Sequence, residues 1–478
     1  MLINAFKKSL QDELLKFIKK DRVRAHMPGH NGGAGLSSGF KRNAFKLDVT
    51  EFDETDNLQN PNGIILKSEE RAAKAFGAKK SFFLVNGSTV GIEAAVLTAV
   101  RNGDKLIVDR TCHKAVISGM ILAGAEPIFI EPEYIERFGI YGAMSPITVM
   151  DALRNNPDAV GVVLTSPNYY GICSDIKRLA KNIHSSDKFL IVDEAHGAHF
   201  AFSDELPKPA LESGADLVIH SAHKTLPALG QTALIHVGNT ELVDVLRLRR
   251  NINLLQTSSP SYILLASIDE AVSKMSNEYG KQLNRVIETV TAIKSKIGVL
   301  DKVSCMTRGN LDNDYDITKL AVDFSKLGIT GYGAAELLKK DYGIYPEMAD
   351  ERNVLLYITA STTKKDLELI DRAITDISKS EYRPQVIKKP KPMPHTRFEM
   401  PMKEAFFSDS VMISAESAIG KICAEIVNSC PPCCPIVLPG QIIDNSVVEY
   451  LKEYTDIEKI AVVSNSINSK TGQIEEEG

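Results

Sequence analysis

Seven short runs of apolar, largely β-branched residues, at 82–86, 105–109, 126–132, 159–167, 189–193, 217–219 and 233–237, alternate with helical patterns along the first half of the chain. Runs of this kind are apolar from end to end, so both of their faces need cover, and helices between them supply it. The pattern predicts an α/β fold around a mostly parallel, doubly wound sheet of about seven strands. Ligands of open sheets bind beyond the carboxyl ends of the strands, so the polar residues that close each run are the first candidates for a site.

The segment LVIHSAHKTLPALGQTALIHV puts Lys224 between two such runs, at or just past a strand end and inside the protein. An ammonium there is costly without an acid beside it, whereas a lysine condensed with an aldehyde as an imine is an ordinary resident. Ser221 can offer its hydroxyl to a phosphate. Ser-x-His-Lys after an apolar strand thus suggests pyridoxal 5'-phosphate (PLP), with Lys224 as the Schiff-base residue and Ser221 and His223 near the cofactor. The plain alternative is a lysine snorkelling from a strand end.

Other strand ends carry matching chemistry. In SFFLVNGSTVGIEAAVLTAV a strand turns into a helix through Asn86, Gly87, Ser88 and Thr89. Amides at a helix start, two hydroxyls and a glycine that permits close approach make a phosphate site. FLIVDEAHGAHF delivers Asp193 to a strand's carboxyl end, where a carboxylate can keep a pyridine nitrogen protonated. Ala195 is small enough to lie under a ring, and His196 can bond a phenolic oxygen. Asp193, His196 and His199 also have a spacing seen in metal sites, but on a strand-to-loop segment they converge only through a turn, and no metal is expected. His113, in the loop after the 105–109 run, is placed either to stack on a planar ring or to cap a helix.

With 478 residues the chain is long enough for about three domains. A net charge of −5 and no basic run exclude a nucleic-acid footprint. The acidic stretch 48–56 reads either as solvated surface or as a negative field for a cationic substrate, with Asp53 and Asp56 as candidates alongside Glu347. The amino terminus is an amphipathic helix with Ile3, Phe6, Leu10, Leu14 and Phe17 on one face, not a signal peptide, and no stretch suits a bilayer. Scattered cysteines predict reduced thiols and a cytoplasmic protein without a membrane partner. The expected units are an amino-terminal helix and interface segment (1–60), a cofactor-binding large domain (61–265), a small α/β domain (266–383), a proline-rich linker (384–394), a carboxy-terminal α+β domain (395–465) and a disordered tail (466–478).

These motifs together resemble the bacterial ornithine/lysine/arginine decarboxylases, fold-type I PLP enzymes built like aspartate aminotransferase. MPGH (27–30), FLVNGST (83–89), CHK (112–114), DEAHGAH (193–199), SAHK (221–224), SPSY (259–262), PEMAD (346–350), EAFF (404–407) and VLPG (437–440) stand in that family's order. The resemblance implies Lys224 on the cofactor, Asp193 at the pyridinium and His113 stacked on the ring. It further implies phosphate held by Ser88, Thr89 and Ser221, and His196 at the phenolic oxygen. It implies a homodimer or higher homo-oligomer with shared sites, loops 27–33 and 256–262 reaching the neighbouring subunit. The reaction would be α-decarboxylation of a small cationic amino acid (arginine or lysine, also ornithine) in polyamine biosynthesis. An aminotransferase or other lyase on the same fold, or a degenerate regulatory protein, are the alternatives. The chain departs from the family in starting with a single helix in place of a wing domain, and in the run SCPPCCP at 429–435, which leaves the role of Cys430, Cys433 and Cys434 open.

Overall fold

The computed structural model describes residues 9–19, 22–389, 391–428 and 433–464. Its centre is a seven-stranded sheet built from β1 (Lys80–Leu84), β2 (Lys105–Asp109), β3 (Glu126–Ile130), β4 (Ala159–Thr165), β5 (Phe189–Asp193), β6 (Leu217–His220) and β7 (Ala233–Val237). The strand order is β1-β7-β6-β5-β4-β2-β3. All neighbours are parallel except β7, which runs antiparallel to both β1 and β6.

Side chains alternate between the two faces, as strand geometry requires. Phe83, Leu164, Val192, Val218 and Leu234 feed one buried cluster, and Phe82, Leu84, Val163, Ile191, Ile219 and Ile235 feed the other. Helix α2 (Ile64–Phe76) stops at Gly77 in the left-handed conformation. Helix α3 (Gly87–Ala99) is apolar nearly all round because it is enclosed by the sheet and by neighbouring helices, and Val90, Ile92, Ala94, Ala95 and Val96 are all buried.

The second unit is an antiparallel sheet of β8 (Ser304–Cys305), β9 (Lys319–Asp323), β10 (Met348–Ala349) and β11 (Asn353–Tyr357), in the order β8-β9-β11-β10. Its antiparallel pairing was not expected from the alternation of strands with the helix at Gly331–Tyr342. A carboxy-terminal unit follows, with β12 (Ser410–Ser414) antiparallel to β13 (Lys459–Val463) around its own core. This unit grips the loop after β2. The buried Arg110 guanidinium donates to the carbonyls of Pro435 at 2.5 Å and Ile436 at 2.9 Å, and Lys114 N–H donates to Cys433 O at 3.2 Å.

Of the amino-terminal helix, α1 covers Leu10–Ile18, opened by a Ser9–Asp12 capping box, and buries none of its residues. Ile3 and Phe6, Cys430 and the 466–478 tail lie outside the described residues. No described helix is long and apolar enough to cross a membrane.

Candidate active site

Lys224 lies on a one-turn helix, Ala222–Thr225, directly after β6. Its Nζ is 3.0 Å from His196 Nε2, and no carboxylate pairs with it at ion-pair distance among the described residues. Burial pushes the ammonium pKa down, with the more distant Asp193 and Glu347 opposing. The lysine is therefore poised toward the neutral amine, the form that condenses with an aldehyde.

Asp193 ends β5 and is buried; the Ala195 N–H donates to its Oδ1 at 3.1 Å. Burial raises its pKa and the positive field of Lys224 counters. A second buried acid, Asp109 at the end of β2, is raised to about 6 by burial while Thr111 donates to it. His196 bonds on both nitrogens, with Nδ1 2.6 Å from the Tyr357 hydroxyl. Burial first, then Lys224 and Lys319, hold it neutral.

His113 takes the capping reading of its position: it is the N-cap of the helix Lys114–Ala123, its Nδ1 accepting from Ala115 N–H at 3.2 Å. Burial and then the charges of Lys224 and Lys114 lower its pKa to about 4. His223 donates from Nδ1 to Thr232 O at 2.9 Å.

The residues fit a phosphate. Helix α3 begins at Gly87, at φ +79° with open space where a Cβ would stand, and its N-cap residue Asn86 makes no side-chain cap; that side chain instead accepts from Thr257 N–H. The Ser88 hydroxyl, in the first turn of this helix, meets the Ser221 hydroxyl at 2.8 Å, and Thr89 is the next residue of that turn. An uncapped helix start faced by hydroxyls suits the phosphate of PLP, and the lysine, buried acid and ring-side histidine suit the rest of that cofactor.

Glu347 joins this group. Its Oε1 accepts from the Tyr169 hydroxyl at 2.6 Å and its Oε2 from Met27 N–H at 2.9 Å, and its charge acts on Lys224 and His223. The other two acids do not join it. Asp56 is buried, and its carboxylate accepts from the backbone N–H groups of Asn57, Asn62, Gly63, Ile65 and Leu66. The acid caps α2, which leaves it no part in binding a substrate. Asp53 is exposed. Loop 27–33 packs on its own chain, Gly29 N–H donating to His223 O at 2.7 Å. His199 turns from His196 to Asp316, 3.1 Å away. Of the cysteine run, Cys433 is disulfide-bonded and the Cys434 thiol donates to Thr111 O.

Sequence reasoning missed Tyr357, Tyr169 and Lys319. Tyr357 closes the apolar run NVLLY, and a polar tip at a strand end was the available signal. Tyr169 and Lys319 carried none beyond their neighbours.

Comparison with known proteins agrees with this geometry. The family described as Orn/Lys/Arg decarboxylase, major domain, matches residues 9–313. An arginine decarboxylase of Halalkalibacterium halodurans is 33% identical over 449 residues, 91% of this chain and 91% of that one. The structure of the constitutive lysine decarboxylase of Escherichia coli superposes with a TM-score of 0.73 at 17% identity, covering 95% of this chain and 81% of that one. The pyridoxamine-pyruvate aminotransferase of Mesorhizobium loti does so with a TM-score of 0.57 at 15% identity, covering 76% and 94%. Both structural likenesses speak for the fold, an aspartate-aminotransferase-like PLP fold, and the sequence relationships speak for the chemistry. The chain belongs to the ornithine/lysine/arginine decarboxylase family, as a PLP-dependent decarboxylase of basic amino acids.

Proposed function

We propose that the substrate is arginine, with lysine second and ornithine third, converted to the corresponding amine and CO2 as a step of polyamine biosynthesis in the cytoplasm. The observation that carries this reading is Glu347. Two donors from different parts of the chain, Tyr169 and Met27, fix its carboxylate at the edge of the lysine cluster. A carboxylate so oriented keeps lone pairs for a forked guanidinium, which gains more from a fixed planar partner than an ammonium does. The relationship to an arginine decarboxylase over 91% of this chain supports arginine.

Lys224 would bond PLP, Asp193 would meet its pyridine nitrogen, His113 would cover the ring and His196 would meet the phenolic oxygen. Gly87, Ser88, Thr89 and Ser221 hold the phosphate, with His223 beside them. When bound, PLP supplies an electron sink for the pair left on Cα as the carboxylate departs. The protein's share would be to hold the buried Asp193 carboxylate at the ring nitrogen, to exclude water by burial, and to return a proton from the pair Lys224 and His196, 3.0 Å apart. The working unit is a homodimer. Phe45, Phe52, Leu246 and Leu254 are large apolar side chains 63–94% exposed in the single chain, more than an isolated surface needs, and a second copy would cover them.

Incubating the purified protein separately with arginine, lysine and ornithine and identifying the amine formed tests the reading. Glu347→Gln should raise KM for the preferred substrate about tenfold or more, the loss of one charge-assisted pair, while Asp53→Asn serves as a second acid. An unchanged KM in Glu347→Gln, or equal turnover of uncharged amino acids, would overturn the role of charge.

A further inference from the structure

A second buried lysine stands in the wall of the site. Lys319 opens β9 with its side chain 1% exposed, and its Nζ lies 3.4 Å from the centroid of the Tyr357 ring. The Asp316 carboxylate is 3.9 Å from Nζ, and is itself held by Thr318, whose N–H donates to Oδ1 at 2.9 Å and whose hydroxyl donates at 2.6 Å. The lysine stem has a built seat. Gly171 is at φ +95°, and a Cβ there would come within 2.7 Å of Lys319 Cγ. Beyond the ring, the Tyr357 hydroxyl meets His196 Nδ1 at 2.6 Å, and His196 Nε2 meets Lys224 Nζ at 3.0 Å. Asp316, Lys319, Tyr357, His196 and Lys224 thus form one continuous line of contacts.

A cation over the face of a phenol draws electron density from the ring and makes its hydroxyl a stronger donor. A neutral imidazole that accepts at Nδ1 must carry its proton on Nε2. We propose that Lys319 is a positioning residue that acts through Tyr357 to hold His196 in the Nε2–H tautomer, so that His196 presents a donor toward Lys224 and the cofactor's phenolic oxygen. Burial lowers the Lys319 pKa to about 8, with Asp316 and Glu347 raising it and Lys224 opposing them, which leaves it mostly charged at neutral pH. The proposal rests on the placement of PLP given above.

Two measurements on the full-length holoenzyme test it, in wild type, Lys319→Met, Lys319→Arg and Tyr357→Phe. In protein labelled with 15N-histidine, with the His196 signals assigned from His196→Gln, wild type should show a protonated Nε2 and an unprotonated Nδ1. Lys319→Met and Tyr357→Phe should both move Nδ1 toward the protonated form, and Lys319→Arg should restore the wild-type pattern. In Lys319→Met and Tyr357→Phe, but not in Lys319→Arg, the pH midpoint of the bound cofactor's visible absorbance should rise by about one unit, the loss of one hydrogen bond to a charged group. Wild-type histidine signals and an unshifted midpoint in Lys319→Met overturn the proposal. Should that variant not fold, a wild-type tautomer in Tyr357→Phe overturns it equally, because the contact line runs through that hydroxyl. A wild-type protein that takes up no PLP would instead refute the cofactor placement, while the histidine signals would still report on Lys319.

Discussion

Asp56→Asn distinguishes a substrate-binding acid from a helix cap. Asp56 stands at φ +69°, a conformation that asparagine adopts as readily as aspartate, so the change leaves the backbone preference intact. Its Oδ1 accepts from Asn57 and Asn62 at 2.8 and 3.0 Å, and its Oδ2 from Gly63, Ile65 and Leu66 at 2.8, 2.9 and 3.4 Å. An amide has a single oxygen, so one of these two sets must face an NH2 group. The Ile65 bond is buried, whereas those of Asn57 and Asn62 are only partly so, so the oxygen should stay with the α2 side and the N–H groups of Asn57 and Asn62 should turn to water. The loss is then about 2–3 kcal/mol: two hydrogen bonds to a charged group discounted for solvent, plus the charge at the helix start. Burial alone would raise the Asp56 pKa, but the amides of Asn62, Asn57, Gly63 and Ile65 overcome it and set the pKa below the ordinary value. Its contribution is therefore present at neutral pH and is lost in acid as pH falls through the folded value. Urea unfolding at pH 7 should show a lower midpoint in Asp56→Asn, with the gap from wild type closing in acid, while KM for the preferred amino acid stays within twofold. Wild-type stability with a tenfold higher KM would refute the assignment.

Three further outcomes are expected. Lys224→Ala should abolish the borohydride-reducible attachment of PLP to the protein, and a cofactor still fixed to the variant after reduction would place the linkage elsewhere. Asp193→Ala should retain PLP through the phosphate contacts yet lose turnover by on the order of 10²-fold or more, the usual cost of removing a strong electrostatic stabiliser; near-normal turnover would exclude its role at the pyridine nitrogen. Lys294 is buried among the Met306 and Lys319 carbonyls and the Tyr315 hydroxyl, and burial lowers its pKa to about 7. Because the folded value lies below the unfolded one, its charge opposes folding most at low pH, and stability should rise between about pH 7 and 10 in wild type but less in Lys294→Met, as read from unfolding midpoints against pH.

The strands of the large sheet were legible because each is a continuous apolar run, and the residues that close those runs were legible because their chemistry is unusual for a buried end. Lys224, Asp193, His196 and Ser221 were singled out in this way, and the structure sets Lys224 against His196 and Ser221 against Ser88. Asp56 was misread because sequence shows an acid in an acidic stretch, not the five amides that converge on it. Glu347, taken from a strand-like segment, does reach the lysine cluster, through partners more than a hundred residues away that no local pattern announces. Tyr357 and Lys319 were missed for a related reason: a tyrosine or a lysine at a strand end is at most a weak signal, and only the pairing of β9 with β11 sets one on the other. The antiparallel second sheet shows the same limit, since helix–strand alternation fixes the elements and not the direction in which strands meet.

The grip of the carboxy-terminal unit on the loop after β2 bears on how this chain can be divided. The matched family region ends at residue 313 and contains Lys224, Asp193 and His113, while Glu347, Tyr357 and Lys319 lie beyond it. The acceptors for the buried Arg110 guanidinium are the carbonyls of Pro435 and Ile436, and the amide after His113 is answered by Cys433. A fragment cut after residue 313 would lose both acceptors of the Arg110 guanidinium and open it to water, so the loop that carries His113, three residues on, would no longer be held from this side. The carboxy-terminal unit is thus a brace for the loop that carries His113, and a cut at the family boundary would remove that brace.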